Sequence, residues 1–135
     1  MDRKFAVVTT FHKEGYNSYG KRMINTFLEN WPKEVELWVY AEDCQVDEQH
    51  DGRLHVLPES PQLYKFVNTW KDVPKANGDI SGVPRLASRK DSHKPFKWQA
   101  IRFAHKVYAI FDCATRCGAD VLMWMDADTV CHSPI

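Results

Sequence analysis

Two aspartates near the end of the sequence have the spacing of a metal-binding pair. Asp126 and Asp128 follow five apolar residues, 121–125, which have the composition of a buried strand. Side chains alternate along an extended chain, so both carboxylates are predicted to face one point, with the small Ala127 turned aside. Paired carboxylate oxygens are ligands that Mg²⁺ and Mn²⁺ prefer, together with water and phosphate oxygens. Such a cation would neutralise the charge of a bound diphosphate.

The rest of the sequence predicts the sheet that would position this pair. Short β-rich apolar runs at residues 5–10, 35–41 and 54–57 predict three more strands, with a helix between the first two. A long helix between Pro95 and Gly118 leads to the strand before the aspartates. Its apolar residues step by three and four positions and predict one core-facing stripe: Phe103, Val107, Ile110, Ala114 and Cys117. This order of elements predicts an α/β fold with a mostly parallel, Rossmann-like sheet and flanking helices.

The segment around the aspartates resembles a known enzyme family. Residues 124–130, Trp-Met-Asp-Ala-Asp-Thr-Val, are similar to the DxD segment of GT-A nucleotide-diphosphosugar glycosyltransferases, the glycogenin-like and lipopolysaccharide-type enzymes included. Residues 7–10 and 40–43 resemble the nucleotide-contacting strand ends of that family, and residues 103–109 lie where it places a basic residue. The resemblance implies that residues 1–135 are one partial GT-A domain, the nucleotide-sugar-binding half, which ends just after the DxD motif.

The resemblance also implies roles for individual residues. Asp128 would bind Mn²⁺ or Mg²⁺ directly, and Asp126 would share the metal or hold the ribose. The other contacts to the nucleotide sugar would come from two strand ends and the long helix: Thr9, Thr10, Glu42 or Asp43, and Lys106. The two threonines would use backbone and hydroxyl groups, and Lys106 would approach the diphosphate or the ribose. The implied reaction is transfer of a sugar from a nucleoside diphosphate sugar to an unknown acceptor, with catalytic residues unidentified.

Two other interpretations of the motif remain open. Residues 121–130 also resemble the first motif of haloacid-dehalogenase-type phosphatases, in which Asp126 would be the nucleophile and Asp128 a general acid beside Mg²⁺.

The other interpretation concerns the length of the chain. GT-A enzymes supply a further metal ligand and their catalytic groups from sequence after the DxD, so the chain is expected to be a C-terminally truncated piece. It is then predicted to bind a metal-nucleotide complex without transferring sugar. A non-catalytic fragment is the third interpretation.

Composition limits the partners that the sequence favours. The 135 residues include 18 Lys and Arg and 18 Asp and Glu, so no net positive field favours nucleic acid or an anionic membrane. No signal peptide is recognisable, and no apolar run approaches the roughly 20 residues that cross a bilayer. Four scattered cysteines are typical of a cytoplasmic protein. The polar, basic segment 71–95 is predicted to be an irregular, solvated loop.

Overall fold

The chain folds into two compact units. The structure, a computed structural model, describes most of the sequence: residues 2–47, 52–88 and 95–135. Residues 1–59 and 109–135 form one unit, which we call the sheet unit, and residues 60–108 form the other, which we call the helical unit. All strands in the described ranges belong to the sheet unit.

Four parallel strands form the framework of the sheet unit. They are β1 (Phe5–His12), β2 (Glu36–Glu42), β3 (Leu54–Leu57) and β4 (Val121–Trp124), in the spatial order β3-β2-β1-β4. Every neighbouring pair is parallel. The strands are largely apolar because helices cover both faces, as is usual for parallel sheets. The α/β class with a parallel, Rossmann-like sheet is therefore confirmed.

The central strand β1 sends alternate side chains into two separate apolar clusters. Val7 and Phe11 pack with the helix that follows β1, whereas Ala6 and Val8 pack with the last turns of the helix that precedes β4. The alternation follows from the two-residue period of a strand. β1 pairs with β2 as far as His12 and with β4 over Phe5–Val8, so its carboxyl end is held by β2 and by the packing of Phe11.

The helical segment after β1 begins without an intervening loop. A short turn, α1 (Lys13–Gly15), continues through a π-helical turn at Tyr16–Gly20 into α2 (Lys21–Asn30). His12 Nδ1 accepts the Gly15 N–H at 3.0 Å and caps the first turn. π-Helical turns are rare in proteins, and those that occur are often found at functional sites. This one lies at the carboxyl end of the central strand.

Two local features fix α2 in place. A Cβ atom at Gly20 would lie 2.9 Å from a ring carbon of Phe11, so only glycine lets the segment approach β1 this closely. At the far end of α2, the buried Arg53 guanidinium donates hydrogen bonds to three backbone carbonyl oxygens. These carbonyls have no helical partner at a helix terminus, so Arg53 joins the end of α2 to the start of β3.

The helical unit consists of short helical segments. They are α3 (Pro61–Trp70), 3₁₀ turns at Pro74–Asn77 and Pro95–Trp98, α4 (Pro84–Ala87) and the first part of α5 (Ala100–Arg116). Phe66 connects α3 with α5, since its ring centroid lies 5.8 Å from that of Tyr108. The segment 71–95, predicted to be an irregular loop, contains the 3₁₀ turn at Pro74–Asn77 and the one-turn helix α4 where it is described, and its residues 89–94 lie outside the described ranges. Within those ranges no helix is both long and apolar enough to cross a membrane.

The long helix α5 turns a different face to the core than the sequence predicts. Cys117 is buried as expected. Three residues of the predicted core-facing stripe are exposed instead: Phe103, Val107 and Ala114. The side chains that meet the sheet are small ones, Ala109 and Cys113, which pack with the cluster on β1. Small side chains let a helix approach a sheet closely, so for these three positions the prediction from large apolar residues is wrong.

Candidate metal and nucleotide site

The strand order creates a topological switch point between β1 and β4. From β1 the chain proceeds to β2 and β3 on one side, and it then returns to the opposite side of β1 to form β4. In open α/β sheets, ligands bind in the crevice outside the carboxyl ends of the strands at such a point. Asp126 and Asp128 follow β4 directly, so they lie at this edge of the sheet.

The two aspartates leave β4 in a turn rather than in an extended chain. The Met125 N–H donates to the Val8 carbonyl at 3.1 Å, which is the last backbone hydrogen bond between this segment and β1 among the described residues. The Thr129 N–H then donates to the Asp126 carbonyl at 3.0 Å and closes a four-residue turn. The strand alternation assumed from the sequence therefore ends at Trp124, and the turn sets the direction of both carboxylates.

The turn separates the small residue from the two acidic ones. Ala127 is 8% exposed and packs in an apolar cluster, whereas Asp126 and Asp128 are exposed. Trp124 Nε1 donates to Asp126 Oδ1 at 2.7 Å and orients that carboxylate. In the part of the chain that the structure describes, no Lys or Arg pairs with either aspartate, and neither belongs to a cluster of three ligand side chains. A cation here would take its other ligands from water or a bound phosphate.

Both threonines of the β1 end turn their hydroxyl groups inward. Thr9 is fully buried, and its Oγ1 has no hydrogen-bond partner among the described residues. The Thr10 hydroxyl lies 2.9 Å from the Tyr40 carbonyl oxygen and 2.6 Å from Glu59 Oε1, and it shares its proton between these acceptors. A nucleotide contact by either threonine in this conformation would therefore use the backbone rather than the hydroxyl group.

A second pair of carboxylates lies at the same edge of the sheet. Glu59 follows β3, is 3% exposed, and accepts the Thr10 hydroxyl. A carboxylate oxygen of Glu42, at the end of β2, lies within 4.8 Å of one from Glu59. Carboxylates this close are stabilised by a shared proton or a cation, so they could supply two ligands. Sequence reasoning considers Glu42 only as a base or ribose contact and omits Glu59, although its place directly after a parallel strand was a usable signal.

The end of β2 opens onto a polar cleft. Asp43 is exposed and has a φ of 49°, in the left-handed region that Asp adopts more readily than most residues. It lines a cleft of about 480 Å³ together with Tyr16, Asn17 and Asp47. The Tyr16 hydroxyl accepts the Asp47 N–H at 3.0 Å and so holds the far wall. The predicted ribose or base contact thus borders a space large enough for a small polar ring.

The basic residue predicted for the diphosphate lies on α5. Lys106 is exposed and belongs to the helical unit, whereas the aspartates belong to the sheet unit. Of the predicted site residues, Thr9, Thr10, Asp43, Asp126 and Asp128 therefore share the sheet unit. All five lie at or just beyond the carboxyl ends of β1, β2 and β4.

Comparison with known proteins adds no assignment. None of the protein-family models, curated proteins and solved structures with which the chain was compared matches it. What is established is a parallel α/β sheet with acidic residues along its carboxyl edge.

Proposed function

We propose that this chain is the donor-binding part of a metal-dependent glycosyltransferase. It would bind a nucleoside diphosphate sugar together with Mn²⁺ or Mg²⁺, and the sugar would pass to an acceptor that the sequence does not identify. The observation that carries the proposal is the exposed pair Asp126 and Asp128 at the carboxyl end of β4, beside the switch point of the sheet. The resemblance of residues 124–130 to the GT-A DxD segment supports the same function.

Asp126, Ala127 and Asp128 would have different roles in such a site. Asp128 would bind the cation directly, and Asp126 would offer the cation or the ribose its second oxygen, because Oδ1 already accepts the Trp124 indole N–H. The buried Ala127 anchors the turn in the core, so both carboxylates are held by a packed element. A cation bound there supplies electrostatic stabilisation of the leaving diphosphate.

Other contacts remain part of the proposal on the strength of the resemblance. These are the nucleotide-sugar contacts from Thr9, Thr10, Asp43 and Lys106. For the threonines the contact would be a backbone one, since their hydroxyl groups face inward. Asp43 has the additional support of the cleft that it lines.

Isothermal titration with UDP and GDP, with and without Mn²⁺, tests the proposal. We expect binding that requires the metal and that weakens by at least about 100-fold in Asp128→Ala, because loss of a direct ligand exceeds the 10- to 100-fold effect of an outer-shell change. Asp128 is exposed, so the thermal unfolding temperature of the variant should not change. Asp72→Ala, an exposed aspartate of the helical unit, is the matched control and should bind like the unaltered chain.

Two results would contradict the proposal. Metal-dependent binding that persists in Asp128→Ala would remove the DxD pair from the site. Metal-dependent hydrolysis of a phosphate monoester, lost in Asp126→Asn, would favour the phosphatase interpretation, since Asn keeps the acceptor for Trp124 but is no nucleophile.

We also assign the chain to the cytoplasm as part of this proposal. The four cysteines, Cys44, Cys113, Cys117 and Cys131, are all free. Free thiols persist in reducing compartments, whereas secreted proteins usually pair them. Fractionation of cells that express the chain tests this assignment, and recovery in a secreted fraction would contradict it.

A further inference from the structure

The outer side of β3 is an open edge of the sheet. β3 lies at one end of the spatial order β3-β2-β1-β4, and no strand in the described ranges pairs with its outer side. The Leu37 N–H donates to the Arg53 carbonyl at 2.9 Å, so residues 53, 55 and 57 turn their backbone groups toward β2. Leu54 and Val56 therefore turn their N–H and carbonyl groups outward. Such an edge is a template for pairing with a further strand.

A cleft lies against β3 on each face of the sheet. The face that packs with α5 has a cleft of about 620 Å³, which we call the Trp38 cleft; it is lined by Trp38, Leu54, His55, Val56, Leu57 and Arg116. The face that packs with α2 has a cleft of about 460 Å³, which we call the Asp47 cleft; it is lined by Ala41, residues 44–47 and residues 56–58. Side chains of a strand alternate between the two faces. A strand added to β3 would therefore send one set of side chains into each cleft.

The Trp38 cleft favours a large apolar side chain. The Trp38 indole stacks on the His55 imidazole with ring centroids 4.3 Å apart, and Leu57 lies on the same face of the sheet. The arginine of the lining, Arg116, donates from Nε to Asp112 Oδ2 at 2.7 Å, so its charge is compensated by a neighbour on α5. Stacked rings beside an aliphatic side chain offer apolar area to an aromatic or aliphatic guest.

The Asp47 cleft favours a cation. Asp47 is exposed and is the one charged side chain among the described residues that line this cleft. No Lys or Arg in the described ranges pairs with its carboxylate. The sheet unit as a whole contains eight Lys and Arg against fifteen Asp and Glu, a net charge of −7, although the complete chain is neutral. A field of that sign attracts a basic partner and steers its approach.

We infer that β3 binds a basic, extended peptide segment of another protein, which joins the sheet as a fifth strand. Alternate side chains of the segment, Lys or Arg, would lie in the Asp47 cleft, and the large apolar side chains between them would lie in the Trp38 cleft. Backbone hydrogen bonds supply the affinity in this mode of recognition, and the clefts for alternate side chains supply the specificity. The whole surface belongs to the sheet unit. It is separate from Asp126 and Asp128, which follow β4 at the opposite edge of the described sheet.

Charge disfavours the other occupants of this edge. Nucleic acid and an anionic membrane would be repelled by a unit with a net charge of −7. A second copy that paired through its own β3 would bring two sheet units of that charge, and two Asp47 carboxylates, to one interface. A basic segment instead complements the charge of the edge.

Fluorescence anisotropy with short labelled peptides tests the inference without metal or nucleotide. The probe is the peptide Lys-Val-Lys-Phe-Lys-Val-Lys, in which cations alternate with apolar residues. A second peptide has Glu in place of each Lys, and we expect it to bind at least about tenfold more weakly because its charge is reversed. Two further peptides carry N-methyl groups on one or the other set of alternate backbone nitrogens. Only one set can face β3, so one of these peptides should lose at least about tenfold in affinity and the other should bind like the probe.

Variants of the chain locate the peptide on β3. Val56→Pro removes an outward N–H and leaves the ladder with β2 intact, since proline is tolerated where the N–H of an edge strand faces outward. It should weaken binding of the probe about tenfold. Asp47→Asn should weaken it about threefold, as expected for an exposed ion pair. Val56→Thr keeps the N–H and a branched side chain, and Asp2→Asn removes an exposed charge that precedes β1. Both of these controls should bind like the unaltered chain.

Several outcomes would overturn the inference. Failure of the Lys peptide to bind, or equal binding of the Glu peptide, would remove the basic partner. Equal affinities of the two N-methylated peptides would rule out an added strand, and this comparison decides the matter even if circular dichroism shows that Val56→Pro is unfolded. Unchanged binding by a folded Val56→Pro would place the peptide elsewhere. A dimer in gel filtration that dissociates in Val56→Pro would assign the edge to a second copy. The proposed donor site is untouched by each of these results, because Asp126 and Asp128 do not enter the assay.

Discussion

The two ends of the sheet use the same pair of residue types in different ways. At the amino end, Trp38 Nε1 donates to Glu36 Oε2 at 3.0 Å, and at the carboxyl end, Trp124 Nε1 donates to Asp126 Oδ1 at 2.7 Å. In each case an indole N–H orients a carboxylate two residues away. At the amino end Lys4 Nζ also lies 3.1 Å from Glu36 Oε1. Asp126 has no such cation among the described residues.

The difference indicates which carboxylates are structural and which are available to a ligand. The negative charge of Glu36 is compensated by the chain itself, so that residue helps to hold β2 beside the N-terminal residues. The carboxylate of Asp126 is oriented by Trp124, and the charges of Asp126 and Asp128 are both left for solvent or a cation. A carboxylate that is positioned and not neutralised is what a metal site requires before its metal arrives.

The largest expected effect comes from removing the indole N–H at the carboxyl end. Trp124→Phe should weaken Mn²⁺-dependent nucleotide binding about tenfold, because Asp126 would lose the group that orients it. The same change at the other end, Trp38→Phe, should leave binding unaltered. Titration calorimetry of both variants measures this, and equal losses in the two would show that the effect is general destabilisation rather than orientation of a ligand.

A smaller effect is expected on stability from the amino end. Burial of Glu36 disfavours its charge, but the hydrogen bond from Trp38 and the nearby Lys4 ammonium outweigh this and hold the carboxyl pKa below its ordinary value of 4.5. A lowered carboxyl pKa stabilises the fold above that ordinary value, and the stabilisation disappears as the pH falls through the folded-state pKa. Glu36→Gln should therefore reduce the free energy of unfolding by at most about 1 kcal/mol at pH 7, since Lys4 is 45% exposed.

The pH dependence distinguishes this ion pair from simple packing. Urea unfolding of Glu36→Gln and of the unaltered chain should differ at pH 7 and converge once the pH has fallen below the lowered folded-state pKa of Glu36, where the carboxylate is protonated in both states. A difference that stays constant over this range would assign the loss to packing around Trp38 instead. Nucleotide binding at pH 7 should be the same in both proteins.

The smallest expected effect tests which acidic pair would hold the proposed metal. Glu59→Gln keeps an acceptor for the Thr10 hydroxyl and removes one charge from the Glu42 and Glu59 pair. If the cation binds at Asp126 and Asp128, Mn²⁺-dependent binding should change by less than about twofold, as expected for a charge outside the ligand shell. Glu34→Gln, at an exposed position, is the control. A loss of more than tenfold in Glu59→Gln alone would move the metal to the glutamate pair.

Much of the sheet could be predicted from the sequence because its signals are local. Continuous apolar runs identify buried parallel strands, and β3 was located at 54–57 as the structure has it. The face of α5 could not be predicted in the same way. Which side of a helix packs on a sheet depends on the distance of approach, and here the side chains that pack on the sheet are the small Ala109 and Cys113, which a search for large apolar residues passes over.

The candidate site also has a part that the local sequence predicts and a part that depends on the tertiary fold. The spacing of Asp126 and Asp128 is visible in a few residues, and the burial of Ala127 between them agrees with what the spacing implies. The turn that carries them depends on the Thr129 N–H and on the point at which β4 parts from β1, which the local pattern does not contain. Glu59 meets Glu42 only because β2 and β3 are parallel neighbours, so their proximity is a property of the topology.

The central position of β1 has a consequence for the order in which the molecule assembles. Its contacts with β2 join residues such as Thr10 and Tyr40, which are 30 positions apart, whereas its contacts with the β4 segment join residues such as Lys4 and Asp120, 116 positions apart. Larger loops close at greater entropic cost and more slowly, so β4 should be the last strand to dock. The DxD turn is placed only by that docking. During refolding, helical circular dichroism should therefore return before the proposed Mn²⁺ binding does, and a nascent chain would form the proposed nucleotide site only once β4 is in place.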